Sequence, residues 1–170
     1  MQVTILLFGK VVNNMSNNKI TFDYQFISDR GIISDKKRRD VPTILAVDAT
    51  FTIRINNELY FEADLAILEF YKAIYRWKGK ITEKNIPEFH YYTIEYDDYE
   101  DGAILSFIPF SNMARVKSIW AEQELYNVFD LDYIVEEFIQ LEKNLKADIE
   151  NYYDIHLKRF IQHIPFQSSY

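Results

Sequence analysis

The stretch from Leu131 to Tyr152, LDYIVEEFIQLEKNLKADIENY, carries a long periodic pattern of apolar residues. Its apolar residues recur every three or four positions with charged residues between them, which is the pattern of a long amphipathic α-helix. Asp130 or Asp132 can cap the start, where a carboxylate also meets the positive end of the helix dipole. We therefore predict a long helix near the C-terminus, followed by a short helix over residues 155–164.

A second amphipathic helix is predicted from Ala63 to Lys78. Large apolar side chains recur at helical spacing along one of its faces: Ile67, Phe70, Ile74 and Trp77. Such a stripe is typical of a helix that packs against a sheet. Gly79, directly after Lys78, is the kind of residue that commonly follows the last turn of a helix.

The first third of the chain indicates β-strands. Residues 19–28 alternate apolar and polar side chains with the period of two that a half-buried strand shows. Residues 3–12 form an apolar segment before them, and we predict that it is the first strand. Residues 43–55 and 58–61 flank Asn56-Asn57, a pair that tolerates the positive φ of a tight hairpin turn.

A second hairpin is predicted from residues 88–96 and 103–110, with Asp101-Gly102 as its turn signal. Residues 115–121 indicate one more strand. The order of strands, helix, strands and long helix has no regular βαβ alternation. We therefore expect an α+β fold, in which an antiparallel sheet of about six to seven strands is packed by two main helices, the longer one near the C-terminus.

The length of the chain, 170 residues, is that of one domain, so residues 1–170 are expected to form a single globular domain. Residues 31–42 contain the run Lys36-Lys37-Arg38-Arg39 and are predicted to be an exposed basic loop. Residues 166–170 are predicted to be a short tail.

The chain contains no Cys, which removes disulfides, thiolate nucleophiles and Cys-ligated zinc. The apolar run from Val3 to Phe8 is short and has no basic residue before it, unlike a signal peptide. No stretch approaches the roughly 20 apolar residues that a membrane helix needs. These features predict a cytoplasmic protein that does not bind membranes.

Acidic residues are concentrated in two segments. Glu88–Asp101 and Glu122–Asp154 together hold 16 of the 26 acidic residues but only two of the 19 basic ones. The first segment ends in a run of rings and carboxylates: Tyr96, Asp97, Asp98, Tyr99, Glu100 and Asp101. Two interpretations stay open for this run, a solvated hairpin tip and a contact patch for a basic protein partner.

A calcium loop does not fit the same run. If Asp97 is counted as the first ligand, Tyr99 stands at the third position and Ile108 at the twelfth, where an EF-hand needs oxygen ligands. The basic run at residues 36–39 does not indicate nucleic-acid binding, because the net charge of the chain is −7. A solvated loop is the better account of this run, and the alternative is a structural protein that self-associates as a homodimer through this loop and an acidic face.

Catalytic motifs are missing from the sequence: there is no HExxH, P-loop, GxGxxG or nucleophile elbow. We therefore predict no catalytic residues, no cofactor and no metal site. One enzymatic alternative remains, a metal-dependent hydrolase that uses clustered carboxylates with His90 or His156. Asp130, Asp132, Glu136 and Glu137 could also gather near the start of the long helix, as paired carboxylates do in glycosidases, but carboxylates on an amphipathic helix are usually its solvated face.

The closing part of the long helix, Leu141–Ile155 (LEKNLKADIENYYDI), is similar to helix-ending stretches of several families found beside toxins in Gram-positive bacteria. Together with the small size, the acidic charge and the aromatic strands, it makes the chain resemble the immunity proteins of bacterial polymorphic toxin systems. The resemblance implies a protein that blocks a basic toxin or nuclease domain without chemistry of its own.

We expect the run at residues 96–101 to be the surface that binds such a partner. Asp97, Asp98, Glu100 and Asp101 would present charge to the partner, and Tyr96 and Tyr99 would bury surface area as anchors.

Overall fold

A computed structural model describes residues 17–167, so the strand predicted over residues 3–12 lies outside the described residues. The strands described form two antiparallel sheets. Sheet one has the order β1-β2-β3, formed by Ile20–Phe26, Asp48–Ile55 and Glu58–Ala66. Sheet two has the order β4-β5-β6-β7, formed by Phe89–Tyr91, Leu105–Phe110, Met113–Lys117 and Val128–Asp130.

Four α-helices accompany the sheets within the described residues: α1 at Val41–Leu45, α2 at Ile67–Lys78, α3 at Leu131–Tyr153 and α4 at Leu157–Phe160. The predicted α+β class, the number of strands and the long helix near the C-terminus are confirmed. The strands belong to two sheets rather than one, because β3 continues directly into α2, which takes the chain away from sheet one before β4 begins.

The hairpin turn at Asn56-Asn57 is confirmed, with φ angles of 50° and 69°. Asn56 also ties the turn to the start of β1, because its Oδ1 accepts a hydrogen bond from the Lys19 N–H at 2.9 Å. The strand after the turn is longer than predicted and ends at Ala66, so the helix predicted from Ala63 begins at Ile67. Residues 43–45, predicted as strand, belong to α1.

The region predicted as an exposed basic loop, residues 31–42, contains short 3₁₀ turns. Lys36, Lys37 and Arg39 are exposed, but Ile33 is buried. Asp35 is bound to the C-terminal part of the chain, and the backbone N–H of His156, at 2.9 Å, lowers the pKa of its carboxyl group. In the predicted tail, Phe166 is half-buried, and the Arg76 guanidinium lies 4.3 Å from its ring.

The core is built around Phe138 of α3, which is fully buried. Its ring contacts Phe22 of sheet one at a centroid distance of 5.1 Å and Phe107 of sheet two at 5.4 Å. It also contacts Trp77 of α2 at 5.8 Å. One side chain of the long helix therefore joins both sheets to the other main helix. None of the helices within residues 17–167 is long and apolar enough to span a membrane.

Candidate functional site

Two half-exposed rings lie at the centre of the predicted binding run. Tyr96 contacts Trp120 edge to face, with ring centroids 5.3 Å apart, and both side chains are half-buried. Ile94, close by in sequence, is 45% exposed. We call residues 94–101 together with Trp120 the acidic aromatic patch. Its rings and its aliphatic side chain leave apolar surface open to solvent.

Tyr99 does not belong to the exposed part of this patch, since it is only 6% exposed. Its hydroxyl accepts a hydrogen bond from the Thr93 N–H at 2.8 Å and donates one to the Thr93 carbonyl at 2.9 Å. Its ring packs against Tyr96 at 5.1 Å. The expectation that Tyr99 is an anchor for a partner is therefore wrong, because this ring closes the loop from inside.

The predicted carboxylates lie on the outside of the loop. Asp97, Asp98, Glu100 and Asp101 are all exposed, as is Glu95. None of them forms an ion pair with a cation among residues 17–167. Their charges are therefore available to a partner. Gly102 closes the run with a φ of 117°, a conformation that only glycine adopts without strain.

Glu69 of α2 anchors the start of the patch from within the protein. It is 2% exposed, and its carboxylate accepts hydrogen bonds from the Ile94 N–H at 3.2 Å and the Tyr91 hydroxyl at 3.3 Å. Burial raises the pKa of Glu69, although these hydrogen bonds act in the opposite direction. A buried carboxylate thus fixes the backbone that leads into the patch.

The acidic surface extends onto sheet one, which sequence reasoning missed. Partial burial raises the pKa of Asp48 on β2, and the carboxylates of Glu95 and Asp64 raise it further. Asp64 lies opposite Thr50 in the β2–β3 register and accepts a hydrogen bond from the Thr50 hydroxyl at 2.6 Å. The alternation of side chains along β2 and β3 was the available signal, since it places these polar residues on the outer face.

The second acidic segment begins close to the patch. Trp120 stands two residues before Glu122, and its ring contacts Tyr96 of the first segment. Farther along, Glu142 is buried, and Asp148 accepts a hydrogen bond from the Tyr24 hydroxyl at 2.5 Å. The acidic residues of the second segment are close together in the sequence, but along α3 they lie in different environments.

The histidines lie in separate environments. His90 lies between Glu88 and Ser106, with its Nε2 2.8 Å from the carboxylate and its Nδ1 3.0 Å from the hydroxyl. His156 contacts Asp35 at 2.7 Å. In the part of the chain that the structure describes, no three His, Asp or Glu side chains gather as a metal site. The ligand set expected for the metal-dependent hydrolase does not occur there.

A row of hydrogen bonds links Glu88, His90 and Ser106 on the β4–β5 strand pair. His90 lies directly opposite Ser106 in the β4–β5 register, and Glu88 precedes His90 by two residues. Hydrogen bonds between opposite side chains are ordinary on the face of an antiparallel sheet. Ser106 is only 6% exposed, and the strand register accounts for this row.

Comparison with known families places this architecture in one of them. The family model described as a domain of unknown function (DUF7878) matches residues 22–151, so the chain belongs to this family. The matched segment begins in β1, ends in α3 and includes the acidic aromatic patch. No curated protein matches the chain. No solved structure matches it either.

Proposed function

We propose that this chain is a protein-binding module that takes a basic protein partner on the acidic aromatic patch. The observation that supports the proposal is the contact between Tyr96 and Trp120, two half-exposed rings surrounded by carboxylates without ion-pair partners among residues 17–167. Tyr and Trp are enriched among the residues that dominate binding energy, because they bury a large area at low entropic cost.

The carboxylates have a different role from the rings. Charged groups at the edge of an interface attract a partner of opposite charge and raise the rate of association. Asp97, Asp98 and Asp101 are exposed and would act in this way. Burial of the central rings would then determine how slowly the complex dissociates.

Internal hydrogen bonds hold the loop of the patch. Tyr99 closes the loop by bonding both backbone groups of Thr93, and Glu69 holds the Ile94 N–H. A surface that is fixed in advance loses less conformational entropy on binding. The loop is therefore better suited to a specific complex than a flexible acidic tail is.

The more specific function that we propose is inhibition of the immunity type. A toxin or nuclease domain with a basic substrate cleft would be blocked if the patch occupied that cleft, through steric occlusion and charge complementarity. The chain needs no chemistry of its own for this action. The support for this step is the charge and the aromatic content of the patch.

The test is quantitative capture of partners from a lysate of the organism that makes the protein. The patch variant is D97K/D98K/D101K, and its control is E58K/E83K/E136K, which changes the net charge equally at three exposed glutamates outside the patch. We expect the wild type and the control to capture the same basic protein, and the patch variant to bind it more than about tenfold more weakly.

A second variant, Trp120→Ala, tests the ring pair without changing the charge. We expect it to dissociate faster from the purified partner while associating at nearly the wild-type rate. If the patch variant and its control bind the partner equally well at low salt, the acidic aromatic patch is not the interface.

The inhibitory function has its own measurement. The captured partner is assayed for cleavage of RNA and DNA with increasing amounts of wild-type protein or of the patch variant. Complete inhibition at a 1:1 ratio by the wild type alone supports the immunity-type function. If the partner is bound but not inhibited, the protein-binding function stands and the inhibitory function is wrong.

A further inference from the structure

A groove with basic walls lies among α2, α3 and α4, away from the acidic aromatic patch. Its volume is about 620 Å³, which is in the range of pockets for small organic ligands. Apolar and aromatic side chains line part of it: Tyr71, Tyr75, Ile139, Leu157 and Ile161. Lysines from all three helices line the rest: Lys78, Lys143, Lys146 and Lys158. We call this cavity the lysine groove.

A second cavity, of about 440 Å³, adjoins the lysine groove. The two share Tyr75, Lys78 and Glu142 in their linings, so together they form one elongated depression. The second cavity adds Arg76 and Lys80. Six basic residues thus line this depression in a chain whose net charge is −7.

The acidic residue in the lining, Glu142, is already engaged. It is 4% exposed, and its carboxylate accepts hydrogen bonds from the Lys78 ammonium at 2.7 Å and the Tyr71 hydroxyl at 3.1 Å. Burial and the charge of Glu142 raise the pKa of Tyr71, so this hydroxyl remains a donor. Glu142 therefore balances the charge of Lys78.

The other three lysines of the lysine groove form no such ion pair within residues 17–167. They are Lys143, Lys146 and Lys158, and all three side chains are exposed. Glu150, which follows Lys143 and Lys146 on α3, accepts a hydrogen bond from the Leu157 N–H at 3.0 Å, and its charge contributes to raising the pKa of Tyr71. Exposed cations that line one cavity repel one another, and a bound anion relieves that repulsion.

Apolar groups lie beside these cations. Ile139 and Ile161 are half-buried, and Tyr75 is 46% exposed. A simple phosphate site would not need this apolar surface, and a nucleic-acid site normally needs a broad basic face rather than a cavity. The lining matches a ligand that has an apolar body and an anionic group.

We propose that the lysine groove binds a small organic anion. The apolar or aromatic body of the ligand lies on Tyr75, Ile139 and Ile161, and its carboxylate or phosphate group meets Lys143, Lys146 and Lys158. This site shares no residue with the acidic aromatic patch, so it is independent of the function proposed above.

The first experiment compares two fluorescent probes with nearly the same body. 8-Anilinonaphthalene-1-sulfonate carries a negative charge, and N-phenyl-1-naphthylamine carries none. We expect the folded protein to bind the anionic probe at one site, about tenfold more tightly than the neutral probe, because only the anion meets the lysines. Equal affinity for the two probes would overturn the proposal.

The second experiment uses matched variants. K143Q/K146Q/K158Q removes three charges from the lysine groove, and K36Q/K37Q/K84Q removes three from exposed lysines elsewhere. We expect about a tenfold loss of affinity for the anionic probe in the first variant and little change in the second. Tyr75→Ala should weaken both probes, since it removes part of the apolar lining. A groove variant that binds the anionic probe as tightly as the control contradicts the assignment.

Competition identifies the chemistry of the anion. Decanoate and decyl phosphate are each expected to displace the probe, whereas 1-decanol and inorganic phosphate are not. The ratio of the affinities of decanoate and decyl phosphate shows whether a carboxylate or a phosphate is preferred. Displacement by inorganic phosphate alone would mean a plain anion site. If only a single-stranded oligonucleotide displaced the probe, the proposal would be overturned. It would also be overturned if the groove lysines mediated dimerisation of the protein and no small anion displaced the probe. Melting temperatures of all variants show that each remains folded.

Discussion

Buried carboxylates act at the scale of single residues, and Glu69 is the clearest case. It lies on the inner side of α2 but bonds Tyr91 and Ile94, more than twenty positions farther along the chain. Burial favours its neutral form and therefore raises its pKa. The native state consequently takes up a proton more readily at this side chain than the unfolded chain does. The contribution of Glu69 to the free energy of unfolding is therefore full at low pH, and it is lost as pH rises through the pKa that Glu69 has in the folded state.

Glu69→Gln should therefore change the pH dependence of stability. Glutamine keeps the shape of the side chain and an acceptor for the Ile94 N–H, but it does not ionise. The ordinary pKa of this carboxyl group is about 4.5. As pH rises above that value, we expect the free energy of unfolding of the variant to increase relative to that of the wild type. Urea unfolding at half-unit steps from pH 4 to pH 7.5 measures the difference.

An exposed residue provides the control for this experiment. Glu83→Gln removes a carboxyl group from an exposed position. Its stability curve should run nearly parallel to that of the wild type. If Glu69→Gln also runs parallel over the whole range, Glu69 does not make the contribution assigned to it.

At the scale of elements, the β2–β3 hairpin depends on two consecutive asparagines. Both have positive φ, at 50° and 69°, a region that most side chains enter at a cost of about 1 kcal/mol. The Asn56 side chain makes hydrogen bonds as well: its Oδ1 accepts one from the Lys19 N–H at 2.9 Å, and its Nδ2 donates one to the side-chain Oδ1 of Asn18 at 2.6 Å. The turn therefore sets the register of the hairpin and also fixes the residues before β1.

Substitutions in this turn should be ranked by these contributions. We expect Asn57→Ala to lower the free energy of unfolding by about 1 kcal/mol, because alanine is strained at positive φ. Asn56→Ala should cost about 2 kcal/mol, since it also loses hydrogen bonds. Asn57→Gly is the control and should stay within about 0.5 kcal/mol of the wild type. Equal effects of alanine and glycine at position 57 would contradict this explanation.

At the scale of the whole molecule, the two sheets are joined through one crowded aromatic cluster. Phe138 contacts rings of sheet one, sheet two and α2, and it has no exposed surface. Elements that share such a centre lose their packing together when it opens. We therefore expect the sheets to unfold as one cooperative unit.

Phe138→Ala tests this coupling. The lost contacts and the cavity should lower the free energy of unfolding by about 4 kcal/mol. Phe110→Ala is a matched control on β5, where the ring is 45% exposed, and should cost less than about 1 kcal/mol. Urea unfolding followed by circular dichroism and by tryptophan fluorescence should give coincident curves for the wild type. Two separate transitions would show that the sheets are independent.

Elements with local signals could be predicted from the sequence alone. The repeat of apolar residues along α3, the asparagine pair between β2 and β3, and the alternation within β1 each predicted a structure that is present. These signals depend on residues a few positions apart, which is why they can be recognised without the fold. The exposed acidic residues 97, 98, 100 and 101 were predicted for the same reason.

Which side chains come into contact could not be predicted without the fold. Tyr96 and Tyr99 are equivalent in the sequence, yet one ring is half-exposed beside Trp120 and the other is buried beneath the loop. Lys78 and Lys158 come from different helices and line one groove. The Tyr96–Trp120 ring pair and the lining of the lysine groove bring together residues more than twenty positions apart, and packing of whole elements selects these arrangements. Local patterns therefore predicted the strands and helices, whereas burial and long-range contacts determined both proposed sites.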